Sequence, residues 1–299
     1  MLYFYTSLLY LSQNSSTMEG GFHKRAQTTR LMAQRGGRMK VAAVGDNCVD
    51  VYKEEGRQYP GGNPVNVAVY LERMGINASY TGVVGTDEQG RFLVDSLKAK
   101  GVDTSHVHVS EGSTAVTYVQ IVNGNRVFGD YVEGVMADFK MSEEDLSFVC
   151  SHDLVVSGIW GHTAGDLGRI KESGTLVAFD YSDQPNDPVV DQSIGNVDYA
   201  FFGLESDDTE QVRSFMKEKQ ALGPKVVIVT LGEHGSLAFD GERFYKQGII
   251  EVEVEDTMGA GDSFIAGFIK GVLENKDVPD CMSEGARSSS VTLQYSGAW

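Results

Sequence analysis

Asp256-Thr257-Met258-Gly259-Ala260-Gly261-Asp262-Ser263-Phe264 is the stretch that decides the reading of this 299-residue chain. Just before it, Val252 and Val254 alternate with acidic residues, a period of two that predicts a strand. Just after it, Phe264, Ile265, Phe268, Ile269, Val272 and Leu273 recur at helical spacing. The Gly-Ala-Gly run therefore joins a strand to a helix, with Asp262 in the first helical turn. A helix start offers unbonded N–H groups and the positive end of its dipole, which together attract an anion. Small residues let a phosphate approach the backbone, and a neighbouring carboxylate can take the proton of an attacking hydroxyl. The same spacing also fits a plain tight turn in which Asp262 only complements the dipole. Two other phosphate-binding patterns are excluded. No Gly-x-x-x-x-Gly-Lys-Ser/Thr run occurs, and Gly259-Ala260-Gly261 lacks the third glycine of a dinucleotide fingerprint.

From Met39 onward, apolar strands alternate with helical patterns, the signature of βαβ units. Strands are predicted at Val41–Val44, Tyr80–Val84, Leu154–Ile159, Leu176–Asp180, Tyr199–Phe202 and Val226–Leu231. Helices are predicted at Val65–Met74, Gln89–Lys100, Ser142–Cys150 and Thr209–Leu222. Two segments break the alternation. Val51–Tyr59 is polar and strand-like, and Asn123-Gly124-Asn125 is a hairpin signal between two strand-like runs.

Hydrophobic content of 41% and charged content of 22% are ordinary for a soluble globule. A net charge of −17 argues against nucleic acid as partner. Cys48, Cys150 and Cys281 are an odd number at no disulfide or zinc spacing, which fits reduced thiols in the cytoplasm. Leu2 to Leu11 is apolar but too short to span a bilayer, and no membrane partner is expected. Residues 1–38 read as an extension outside the fold, expected to be disordered, and 39–299 as the functional domain.

The nine-residue stretch resembles the C-terminal signature of the ribokinase family of carbohydrate kinases, Asp-Thr-x-Gly-Ala-Gly-Asp. Gly61-Gly62-Asn63-Pro64-Val65-Asn66-Val67-Ala68 and on to Gly75 resembles that family's first signature. Thr230-Leu231-Gly232-Glu233-His234-Gly235 resembles its nucleotide loop. The resemblance implies a three-layer α/β/α sandwich with a mostly parallel central sheet. It also implies a small β-lid from segments near 51–60 and 114–133. It further implies ATP, Mg²⁺ and transfer of the γ-phosphoryl to a sugar hydroxyl, with a monovalent cation near Asp256 and a homodimer paired through the lid.

By that resemblance Asp262 is the catalytic base, and Gly259, Ala260 and Gly261 present N–H groups to the phosphoryl oxygens. Thr230, Gly232 and Gly235 bind the nucleotide. Asp50, Gly61, Gly62, Asn63 and Asn66 bind the sugar. Asp46, in Gly45-Asp46-Asn47-Cys48-Val49-Asp50, is read first as the cap of a turn. One departure stands out: the family's Asn-x-x-Glu pattern lacks its asparagine in Phe201-Phe202-Gly203-Leu204-Glu205-Ser206-Asp207-Asp208. That puts the metal ligands in doubt, with Glu205 or Asp180 as stand-ins. His106, His108, His152, His162 and His234 show no metal spacing and read as surface or structural residues.

The runs Phe128 to Phe139, Ile159-Trp160-Gly161-His162 and Gln294-Tyr295-Ser296-Gly297-Ala298-Trp299 resemble the fructosamine-kinase branch of the family. That branch implies phosphorylation at O6 of a sugar bearing an amino acid on C1. Glu133 and Asp130 are then expected to meet the amino end. A kinase for a simple ketose or another fructose–amino acid stays open. So does a non-catalytic sugar- or nucleotide-binding protein, favoured by the missing asparagine and opposed by the intact Gly-Ala-Gly-Asp run.

Overall fold

A computed structural model describes residues 39–53, 56–122 and 125–299. The expectations for residues 1–38 and for the Asn123-Gly124 turn lie outside the described residues.

The central sheet has nine strands. In chain order they are β1 (Lys40–Val44), β4 (Asn77–Gly85), β5 (Asp103–Ser110), β8 (Leu154–Gly158), β9 (Leu176–Asp180), β10 (Tyr199–Gly203), β11 (Val226–Thr230), β12 (Ser236–Phe239) and β13 (Phe244–Gln247). Their order in space is β13-β12-β11-β10-β9-β8-β1-β4-β5. β12 pairs antiparallel with both β11 and β13, and the seven strands from β11 to β5 run parallel. Among the described residues eight α-helices flank the sheet: α1 (Asn63–Arg73), α2 (Glu88–Ala99), α3 (Glu143–Val149), α4 (Leu167–Glu172), α5 (Pro188–Ser193), α6 (Glu210–Ala221), α7 (Ala260–Leu273) and α8 (Val278–Thr292).

Strand alternation builds two cores from one sheet. Val41, Ala43, Leu154, Val156, Ala178, Phe201 and Ile228 face one way, against α1, α2, α7 and α8. Ala42, Val44, Val155, Val177, Phe179, Ala200 and Val227 face the other way, against α3, α4, α5 and α6. This is the expected three-layer sandwich. Helix starts follow local chemistry: Asp87 caps α2 through the Gly90 N–H, Ser142 and Asp145 form a capping box on α3, and Thr209 caps α6. α7 and α8 approach closely because Gly271 leaves room; a Cβ there would come within 2.8 Å of the Cys281 Cα.

A second, four-stranded sheet, ordered β3-β2-β6-β7, consists of β2 (Cys48–Tyr52), β3 (Arg57–Gly61), β6 (Val116–Val122) and β7 (Asn125–Val132). The lid segments read from the sequence are these strands. Val51–Tyr59 is two strands rather than one, paired antiparallel from Cys48↔Gly61 to Tyr52↔Arg57. β6 and β7 pair antiparallel down to Val122↔Asn125.

The strand expected at Val252 and Val254 is absent. β13 ends at Gln247, and residues 248–255 run on without pairing. Their apolar side chains line a cavity and not a ladder.

Candidate active site

Asp262 lies in the first turn of α7, and Gly259 is that helix's N-cap, in a left-handed conformation at φ 73°. A Cβ at Gly259 would collide with the Tyr70 hydroxyl, so both sterics and φ call for glycine. α1 starts opposite. Its N-cap Gly62 has φ 105°, and a Cβ there would come within 2.6 Å of the Asn47 Cα. Two helix starts thus face each other at the carboxyl ends of the parallel strands, where ligands of open α/β sheets gather.

The side chains between them form a linked acidic cluster. Asn63 Nδ2 donates to Asp262 Oδ1 at 2.7 Å, and Asn66 Nδ2 donates to Asp262 Oδ2 at 2.7 Å. Asn63 Nδ2 also donates to Asp180 Oδ2 at 2.9 Å, and the Asn63 backbone N–H donates to Asp46 Oδ2 at 3.2 Å. Asp46 and Asp180 stand one or two residues beyond or at the ends of β1 and β9. Asp46 therefore does more than cap its own turn: it ties the end of β1 to the start of α1.

Burial pushes the Asp262 carboxyl up to about 6, while the Asn66 and Asn63 donors pull it down. Burial, with a smaller contribution from the nearby Asp262, likewise pushes Asp46 and Asp180 up to about 7. Oδ1 of Asp46 and Oδ1 of Asn63 are buried with no hydrogen-bond partner among the described residues. Buried acceptors ordinarily have a donor.

Beside Asp262 opens a cavity of about 770 Å³, walled by Asp180, Asp183, Gly203, Glu205, Gly259 and Gly261 among others. A second cavity of about 530 Å³ is mostly apolar, with Ile249, Ile250, Val254, Phe264 and Leu293 in its wall. Thr230, Gly232 and Gly261 belong to both walls, so the two spaces adjoin. None of the described residues lining either cavity is Lys or Arg. An anion there would rely on N–H groups, the α7 dipole and a bound cation.

The turn after β11 is shaped by Gly232 (φ 57°) and Gly235 (φ 88°), and a Cβ at Gly235 would collide with the Gln247 carbonyl. Gly235 and Ala260 line the apolar cavity. The Ala260 N–H turns back to the Thr257 carbonyl at 3.2 Å. Asp256 accepts the N–H groups of Met258 (2.9 Å) and Gly297 (2.7 Å), pinning the loop before α7 to the last residues. Tyr70 donates to the Ala298 carbonyl, and Trp299 Nε1 donates to Asn66 Oδ1 at 2.7 Å.

Of the residues read from sequence, Asp262, Gly259, Gly261, Thr230 and Gly232 line the first cavity, Gly235 and Ala260 line the second, and Asn63 and Asn66 are joined to them through Asp262. Asp50 is buried in β2 of the second sheet, and a Cβ at Gly61 would lie 3.4 Å from its Oδ2. Glu133 follows β7 and pairs with His162 across 2.7 Å; Asp130 is exposed on β7. The five histidines singled out each have a partner: Asp145 for His106 and His108, Ser79 for His152, Glu133 for His162 and Asp207 for His234.

An acid at a glycine-bounded helix start, clamped by two carboxamides beside paired cavities, is equipment for moving a phosphoryl group onto a polyol. The chain belongs to the pfkB family of carbohydrate kinases, which it matches over residues 39–299. Its fold is that of Arabidopsis thaliana ribokinase complexed with ribose and ATP, with a TM-score of 0.77 at 23% identity over 87% of this chain and 93% of that one. The fructoselysine 6-kinase of Shigella flexneri is 46% identical over 259 residues, which cover 87% of this chain and 99% of that protein. A fructosamine kinase of Bacillus subtilis is 33% identical over 266 residues, covering 87% and 93%. No helix among the described residues is long and apolar enough to cross a membrane.

Proposed function

We propose that this protein transfers the γ-phosphoryl group of ATP to the O6 hydroxyl of fructoselysine. The observation that carries the reading is the 46% identity to a fructoselysine 6-kinase along nearly that protein's whole length. The site's geometry supports it. Asp262 accepts the O6 proton as that oxygen attacks phosphorus, the bond from the γ-phosphorus to the bridging oxygen breaks, and ADP leaves. The start of α7 at Gly259 and Gly261 holds the phosphoryl oxygens, while the Ala260 N–H, turned back to the Thr257 carbonyl, adds only to the helix dipole, so catalysis is mostly positioning and electrostatics. Thr230, Gly232 and Gly235 seat the nucleotide, its base in the apolar cavity.

Asp50, Gly61, Gly62, Asn63 and Asn66 hold the sugar. The orphan acceptors on Asp46 and Asn63 suit its hydroxyls. The second sheet, a lid on this reading, excludes water that would compete as acceptor.

Mg²⁺ fits this site. Among the described residues the wall of the cavity beside Asp262 has no cationic side chain, and Asp180, Asp183 and Glu205 offer hard oxygen donors there. Among the described residues no group of three such side chains is placed to hold a metal alone, so phosphate and water oxygens would complete its shell. The ion would neutralise charge on the phosphoryl oxygens. The reading carries a cytoplasmic location, a monovalent-cation site near Asp256, and a homodimer paired through the lid-edge strands β3 and β7.

The test is ATP consumption with fructoselysine, other fructosamines and fructose, with the product's phosphate position found by NMR. Turnover strongest with fructoselysine, phosphate on O6, and loss of turnover in Asp262→Asn are expected. Equal or faster turnover of a plain ketose would replace the substrate. Sugar binding without turnover would return the chain to a non-catalytic role.

A further inference from the structure

Glu133 and His162 meet at 2.7 Å, yet both stay accessible, their side chains 38% and 42% exposed. Glu133 directly follows β7 of the second sheet, and His162 lies in the loop after β8 of the central sheet. Exposed pairs of this kind contribute little to stability. His162 also sits at φ 53°, uncommon for a residue with a side chain. The backbone beside it has little room to relax, because a Cβ at Gly45 would come within 2.6 Å of the Gly161 Cα. Folding alone gives little reason to hold a histidine there.

The pair is connected to the reacting end. Asp46 follows Gly45, and it feels the charges of both His162 and Asp262. Tyr131 feels Glu133 and Asp46 alike. Trp160 and Tyr131, each two positions before a member of the pair, expose 54% and 52% of their surface. An apolar spacer suits exposed rings of this type.

We infer that Glu133 and His162 read the amino-acid end of the substrate, Glu133 accepting from its α-ammonium and the His162 imidazole donating to its α-carboxylate. This rests on the fructoselysine reading and says how that site tells a fructosamine from a ketose. A zwitterion offers a donor to Glu133 and an acceptor to His162, so neither side chain is left without a partner when the pair opens. The order of charges follows from the pair itself: a carboxylate can only accept, so it meets the ammonium, and an imidazole N–H donates to the substrate carboxylate.

The experiment measures kcat/KM for fructoselysine, its Nα-acetyl derivative and its α-carboxamide, with wild type, Glu133→Gln and His162→Gln. Thermal melts confirm that each variant is folded. Wild type should lose roughly tenfold or more on either modification, the scale of a charged hydrogen bond. In Glu133→Gln the acetylation penalty should fall below about threefold while the amide penalty persists; His162→Gln should show the converse. If both variants slow all three substrates by one factor with both penalties intact, the pair only fastens the two sheets together, and the inference is wrong. A wild-type enzyme that phosphorylates no fructosamine would sink the fructoselysine reading as well, and the wild-type assay alone reveals that case.

Discussion

The Trp299 indole N–H donates to the Asn66 side-chain oxygen at 2.7 Å, and that bond decides which end of the Asn66 amide meets Asp262. An amide has one acceptor end and one donor end. With the oxygen held by tryptophan, only the NH₂ can face the carboxylate. Trp299→Phe removes the donor and lets the amide turn its oxygen toward Asp262. We expect kcat to fall about tenfold, the scale of one lost charge-assisted hydrogen bond. Steady-state kinetics check this, and an unchanged kcat would show that the amide needs no such anchor.

The acid limb of the kcat/KM profile should centre near 6, where burial places Asp262. Below that pH the base is protonated and inactive. Amide donors favour the charged form, so Asn66→Ala should move the limb to higher pH while lowering the plateau. A limb moving to lower pH would mean that another group is being titrated.

Asp46 gives a stability test with a defined sign. Its folded value of about 7 stands above its ordinary 3.8, so the folded chain holds a proton that the unfolded chain has lost. Stability from this group is fully present below about 4 and falls as pH rises through about 7. Asp46→Asn keeps an acceptor for the Asn63 N–H and removes the titration. It should raise Tm at pH 8 by several degrees, on the order of a few kcal/mol, with the gain shrinking toward pH 4. Calorimetry at the two pH values decides, and a gain independent of pH would refute the assignment.

Gly259→Ala should destabilise the protein by about 1–3 kcal/mol, since it combines a left-handed backbone with a collision against Tyr70. Tyr70→Phe in the same chain should recover the collision part and leave the backbone part. Denaturant melts of the two variants separate these contributions. No recovery would place the whole cost in φ.

How far the sequence revealed all this depended on range. Gly259 to Asp262 was readable because a turn and the periodicity beside it are local, and the helix start appeared where the spacing put it. The buried strands β8 to β11 were readable as short apolar runs. Val252 and Val254 misled because they border the apolar cavity in a segment that joins no ladder. α8 escaped notice because small residues pack it against α7, with no strong apolar stripe. Asp46 carried no pattern tying it to Asp262; their shared contact is Asn63, far along the chain from Asp262. The Trp299–Asn66 bond and the Glu133–His162 pair are likewise products of the fold, and spacing gives no sign of them.

The unpaired segment after β13 has a practical consequence. Ile249, Ile250 and Val254 keep 52%, 39% and 54% of their surface in contact with water around the apolar cavity. Without an occupant, that rim is a greasy patch on an otherwise strongly anionic particle, the kind of surface on which molecules stick to one another. A nucleotide seated there would shield the rim and add stability by mass action. Purified stocks should accordingly cloud less and keep longer with ATP in the storage buffer, a colloidal effect owed to the same hydrophobic wall that the proposed function assigns to the base.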